Sequence, residues 1–185
     1  ERLFTFISDI DDVAETMEEG ESTELSTVKL NDLIQNTGNQ IAEQYGNNGT
    51  INIEMTDDSQ SPTAVADKTL LSEALSEIYL ALSTGMKESN IQINAQSNSY
   101  EGAAEIQILS GPNSLVAEMI DVYKNNLTTI IEALEKDKQD IIFRFAKATA
   151  NIRMMNGTMK VESFGAEEGN VVLITLPMAQ TERAV

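Results

Sequence analysis

At 185 residues the chain is long enough for one ordinary domain with its own core, and at a net charge of −18 it is too acidic to hold nucleic acid. Only 12 Lys and Arg stand against 30 Asp and Glu, so neither a phosphate backbone nor an anionic membrane surface meets a basic patch. Cysteine and histidine are both missing, which removes zinc sites, thiol nucleophiles, serine–histidine triads and a phosphoacceptor histidine from this chain. Hydrophobic residues make up 41%, a globular proportion. No run approaches the roughly 18 apolar residues of a membrane span, so no direct membrane contact is expected. No signal peptide is visible and cysteine is absent, which together predict a cytoplasmic location. The chain opens on Glu1 rather than Met, so a longer parent chain is expected. The acidity itself suits a saline habitat or simple solubility before it suits a basic partner.

In chain order, Leu3, Ile7, Ile10, Ala14 and Met17 step by four and three, the spacing of a coiled-coil seam. The spacing predicts the end of a helix over 1–19, either an N-terminal core helix or a stalk that pairs two copies. Gly20 to Thr23 breaks it. Thr27 to Leu30 predicts a short strand, and Asn31 then caps a helix running to Tyr45. Ile51, Ile53 and Met55 alternate with polar residues as a half-buried strand. Residues 57–66 form a polar loop around Pro62. Asp67 caps the central helix, in which Leu70, Leu71, Ala74, Leu75, Ile78, Tyr79 and Leu82 make one broad apolar face before Gly85 stops it.

Ile91, Ile93 and Ala95, then Ala104, Ile106 and Ile108, predict a hairpin across a turn at 97–102. Ser110 to Asn113 is the sharpest break. From Leu115 to Leu134 the spacing is helical with no glycine, residues 135–140 read as a charged joint, and Ile141 to Met155 is helical again. That is two amphipathic helices or one long kinked one. Met159 and Val161 mark a strand, and Val171 to Leu176 a last, apolar one that Pro177 ends. The order predicts an α+β domain over 25–179, a two-layer sandwich with helices on one face of a mixed, mostly antiparallel sheet. Residues 1–24 precede it as stalk end and linker, and 180–185 follow as a loose tail.

Three runs carry a resemblance. Val28-Lys29-Leu30-Asn31-Asp32-Leu33-Ile34, the helix at 67–82, and Met155-Asn156-Gly157-Thr158-Met159-Lys160-Val161-Glu162-Ser163 with Gly169 and Leu176-Pro177 resemble the ATP-binding domain of sensor histidine kinases. This is the Bergerat-type ATPase fold, shared with gyrase, a heat-shock chaperone and the mismatch-repair ATPases. The resemblance implies a cytoplasmic two-component signalling domain behind a dimerisation stalk. In that family an Asn on the central helix holds Mg²⁺, an Asp followed by glycines reads adenine, and a glycine-rich turn cradles phosphate.

The matching positions here differ. Ala81 stands at the metal-binding asparagine and offers no oxygen to a hard cation. Glu77 falls on the general base, as a vestigial base or a solvated helix residue. Ser110 replaces the adenine-reading Asp, and Pro112 and Ser114 replace the glycines. Ile142 and Arg144 occupy the glycine-rich turn. Arg144 offers charge to a phosphate, yet between Phe143 and Phe145 it reads as a packed or ion-paired helix residue. An ordered helix over 115–134 stands where the family has a mobile lid.

The first reading is therefore a catalytically silent kinase-like domain without cofactor or metal. It acts on a protein partner such as a response regulator or kinase, with a homodimer through residues 1–19. The alternative is a divergent ATP- and Mg²⁺-dependent kinase using Glu77, Ser110 and Arg144. A third reading, an unrelated α+β binding domain, would be supported if the 158–176 hairpin did not lie beside the 104–109 strand.

Overall fold

The computed structural model describes residues 23–45, 50–57, 62–98, 101–124, 135–165 and 167–178. The expected stalk helix at 1–19, residues 125–134 of the expected lid-replacing helix, and the tail at 180–185 lie outside them. Strand β1 is Ser26–Lys29 and runs directly into helix α1, Leu30–Tyr45. Asn31 thus sits inside the helix and is buried, rather than capping it, because β1 pairing carries the chain straight to Leu30. Strand β2 is Thr50–Asp57. Strand β3, Thr63–Ala66, lies within the stretch expected to be a polar loop. It forms because β1 supplies an antiparallel partner, Ser26 to Ala66 through Lys29 to Thr63, and because Ala64 and Ala66 are fully buried there.

Helix α2, Lys68–Ser83, is the centre of the core. Asp67 caps it: Oδ1 accepts from the Thr69 and Leu70 amides at 2.8 and 3.2 Å, and Oδ2 accepts from the Glu24 amide at 2.9 Å. One carboxylate therefore satisfies two orphan donors and pins the entering chain, worth about 1 kcal/mol of helix stability. Leu71, Leu75, Ile78 and Leu82 are completely buried, each contributing about 1.5–3 kcal/mol by removal from water.

Strands β4, Glu88–Asn98, and β5, Ala103–Ser110, form the expected hairpin. Helix α3, Ser114–Lys124, follows, then α4, Lys136–Met154. The charged joint is in fact the first turns of α4: the Lys138 and Gln139 amides donate to the Glu135 carbonyl at 3.0 and 3.1 Å, and Lys138 pairs with Glu118 of α3 at 2.8 Å. Its charges mark a solvent-facing start, not a break.

At the end of α4, Asn156 takes the left-handed conformation at φ 58, and Gly157 donates to the Ile152 carbonyl at 3.0 Å. A Cβ on Gly157 would stand 2.8 Å from the Thr175 carbonyl oxygen, so only glycine lets the chain pass into β6, Thr158–Ser163. Strand β7, Asn170–Pro177, closes the sheet.

The five-stranded sheet has the order β2-β4-β5-β7-β6, with β2 and β4 parallel and every other pair antiparallel. Strand β7 lies against β5 in register from Ala103–Pro177 to Ser110–Asn170. The separation that would have supported the third reading is not found. Alternate residues of the sheet, Ile91, Ile93, Ile106, Ile108, Val172 and Ile174, join the helices in one core cluster. The residues between them, such as Gln92, Gln96, Gln107 and Lys160, are exposed. Helices therefore cover one face only, as expected. No described helix is long and apolar enough to cross a membrane.

Candidate functional site

The sequence places its candidate residues on α2, on the β5–α3 junction and on α4, and the fold brings these elements together along one side of α2. Glu77 is not a solvated helix residue. Its side chain is 17% exposed, and its two oxygens accept from different cations of α4: Oε2 from Arg144 Nη1 at 2.6 Å and Oε1 from Lys147 Nζ at 3.0 Å. Helix periodicity sets this up. Arg144 and Lys147 are three apart and share a face, so both reach one carboxylate on the facing helix. Further along the seam, the buried Asn151 Nδ2 donates to the Leu70 carbonyl at 3.5 Å and to Glu73 Oε2 at 3.4 Å. Helices α2 and α4 thus touch directly through charge at one end and an amide at the other.

Ala81 is fully buried one turn beyond Glu77. Ile142 and Phe145 are buried on α4, and Ile142 and Arg144 lie well inside that helix instead of in a turn at its start. The helix begins at Lys136, so the positions matched to phosphate-cradling glycines have their amides in the helical ladder. Phe145 also meets the Tyr123 ring at a centroid distance of 6.0 Å, and the Tyr123 and Thr149 hydroxyls are 2.7 Å apart, which ties α3 to α4.

Ser110 ends β5 buried, and its Oγ accepts from Asn170 Nδ2 across the β5–β7 pair at 3.4 Å. Asn170 is a second buried polar residue that the sequence reading passed over, because only sheet register brings it to Ser110. Gly169 stands beside this pair at φ +107, where a Cβ would fall onto the Ser110 carbonyl oxygen. Pro112 and Ser114 are exposed.

Between them, Asn113 does the structural work. Its Oδ1 accepts from the Val116 amide at 3.2 Å, capping α3, while its Nδ2 donates to the Leu82 and Thr84 carbonyls at 3.4 and 3.0 Å, capping α2. A single amide closes the end of one helix and the start of the next. The Asn ahead of a helical run was the available signal for the first half of this role. The second half joins residues 29 and 31 positions apart and is invisible to local patterns.

An open groove of about 410 Å³ follows the outer face of α2 from Lys68 to Glu77, between Gln40 of α1 and Lys147 of α4. Among the described residues no cluster of three or more acidic, His or Cys side chains could hold a metal ion. Burial pushes the Tyr79 phenol far above its ordinary range, and its hydroxyl finds no hydrogen-bond partner among the described residues. On the open face of the sheet, hydrogen bonds from Asn98 and Gln96 hold the Glu105 carboxyl below its ordinary value.

No protein-family profile and no curated protein sequence matches the chain. Solved structures do. Full-length ShkA in complex with AMPPNP superposes with a TM-score of 0.65 at 14% identity, over 87% of this chain and 32% of that one. The chain therefore spans about a third of that protein's length. The nucleotide-free catalytic domain of histidine kinase ThkA gives 0.60 at 16% identity over 84% and 96%. A histidine kinase from Burkholderia phymatum gives 0.64 at 11% identity over 95% and 81%. The chain has the fold of a histidine-kinase catalytic (ATPase) domain.

Proposed function

We propose that this is a histidine-kinase-like domain of a two-component signalling protein that no longer takes up ATP and acts through contacts with other proteins. The observation that carries the reading is the Glu77–Arg144–Lys147 clasp beside the buried Ala81. The family's Mg²⁺ needs oxygen ligands, and the residues present do not fit it. Ala81 has no side-chain oxygen to give, and Glu77, the acidic group nearest to it on α2, is already paired with two cations. A triphosphate needs free backbone amides at a glycine-rich turn, whereas positions 142 and 144 sit mid-helix with their side chains packed or paired. Ser110 offers a hydroxyl to its strand neighbour in place of a carboxylate to a base amino group. No catalytic step is assigned to this chain.

The described part of the lid region supports the same reading: α3 is regular, capped by Asn113 and held on α4 by Tyr123 and by the Lys138–Glu118 pair. The partner is a protein of the same signalling class, a response regulator or a kinase. The same reading has two copies pair through residues 1–19 and the domain work in the cytoplasm.

Calorimetric titration with ATP and Mg²⁺ up to millimolar nucleotide tests the reading. No heat of binding is expected, and the melting temperature should not move with nucleotide. Saturable binding that Arg144→Ala abolishes would overturn it in favour of a divergent, active kinase.

A further inference from the structure

The carboxylate that starts the central helix also holds the chain leading into the domain. Strands β1 and β3 pair antiparallel with Ser26 opposite Ala66, so the residues just before Ser26 and just after Ala66 emerge at the same end of that small sheet. Asp67 directly follows β3, and Glu24 stands two residues ahead of β1. The Glu24 amide donates to Asp67 Oδ2 at 2.9 Å, a contact across 43 residues. Oδ1 meanwhile accepts from the Thr69 and Leu70 amides in the first turn of α2. A serine would cap α2 as well, but with one side-chain oxygen in place of two.

The same turn of α2 carries the contact on into α4. Leu70 donates its amide to Asp67, and its carbonyl accepts from Asn151 Nδ2 at 3.5 Å. The Asn151 side chain is buried and also reaches Glu73 Oε2 at 3.4 Å. Glu24, Asp67, Leu70 and Asn151 therefore make one hydrogen-bonded chain, from the entering segment through the start of α2 to the last turns of α4. Bonds linked in this way polarise and position one another, so the loss of one loosens the next.

We propose that Asp67 couples the seat of the entering chain to the α2–α4 seam. When Glu24 is drawn off Oδ2, the first turn of α2 loosens and Asn151 loses its hold on Leu70. Asp67 is then a positioning residue that makes the central helix sensitive to the segment joined at Thr23. The coupling is reciprocal, as equilibrium linkage requires. It goes beyond the nucleotide reading and rests on no part of it.

Amide hydrogen exchange of the full chain, with the Asn151 side-chain amide followed by NMR, tests the coupling. The Leu25 amide donates to the Thr23 carbonyl at 3.1 Å, which makes Glu24 the centre of a three-residue turn. Its φ is negative, as at every described non-glycine residue except Asn156. Proline suits such a turn and has no N–H, so Glu24→Pro deletes the donor and leaves Asp67 intact. Protection of the Thr69 and Leu70 amides should then fall by about 2- to 5-fold, and the Asn151 side-chain amide should exchange faster by a smaller factor. Asp67→Asn keeps an oxygen for the cap but puts an NH2 group where Oδ2 stood. Glu24 should therefore lose protection by about 5- to 10-fold while α2 stays capped. In the Asp67→Asn background, adding Glu24→Pro should change nothing further at Thr69 and Leu70. If Asp67 is only a helix cap, Glu24→Pro leaves both amides at their original rates, and that result would overturn the proposal. So would an equal effect of Glu24→Pro in the two backgrounds.

Discussion

Helix α2 is held on two sides by different physics. Along α4 it is gripped by charge, with Glu77 between Arg144 and Lys147, in a seam that solvent still reaches. At its C-terminal end and inner face it is gripped by neutral groups: Asn113 on two carbonyls, and Leu71, Leu75, Ile78, Tyr79 and Leu82 in full burial. The buried, neutral side carries the stability, because ion pairs that solvent still reaches return less than full burial and buried polar groups cost much when stranded. The charged side carries the functional statement. In the proposed reading it occupies the positions that the sequence resemblance assigns to metal and phosphate.

Substitutions on the neutral side should therefore have the larger effects. Asn113→Ala removes the α3 cap and strands two carbonyls at the end of α2. Chemical denaturation should show a loss of about 2–4 kcal/mol, and calorimetry a fall in Tm of roughly 5–15 °C. Asn113→Asp keeps the α3 cap but sets a carboxylate oxygen against the Leu82 and Thr84 carbonyls, so it should cost at least as much. Tyr79→Phe should move the other way. Deleting a buried hydroxyl that has no partner among the described residues should raise stability by about 1 kcal/mol, read by the same denaturation curves; a loss would show that the hydroxyl is bonded in solution.

On the charged side, Glu77→Gln should cost about 1 kcal/mol or less, and the difference from the unmodified chain should shrink as salt is raised. A salt-independent loss of several kcal/mol would place this pair on the buried side of the comparison. The smallest effect belongs to Glu105. Its folded-state value is lowered by Asn98 and Gln96, so its contribution is present above the unfolded carboxylate range and is lost as pH falls through the folded value. Glu105→Gln should lower stability slightly at neutral pH, and the difference from the unmodified chain should vanish as pH falls through the folded value.

The sequence was most legible where burial has a period. Ile51, Ile53 and Met55, the Ile91–Ile108 hairpin and the apolar face of α2 all lie where alternation or three-and-four spacing puts them, since each buries one face against the same core. Strand β3 escaped because Thr63 to Ala66 is four residues long with small side chains, and its strand character comes from β1. The start of α4 escaped because Lys136 to Asp140 faces solvent and shows no apolar beat.

At the candidate site, the sequence shows that Ala81, Ser110 and Ile142 differ in residue type from what the resemblance expects. The contacts made around them could not be read. Glu77 meets Arg144 across 67 residues and Lys147 across 70, and Asn113 reaches back 31 to Leu82, contacts that exist only once the chain is folded.

A crystal of the full chain grown with Mg²⁺ and a non-hydrolysable ATP analogue puts the central claim to the shortest test. The account predicts no nucleotide density between α2 and α4, with Glu77 still on Arg144 and Lys147 and α3 still seated on Asn113. A triphosphate lodged against Ala81 and Ser110, with Glu77 released from its cations, would contradict it.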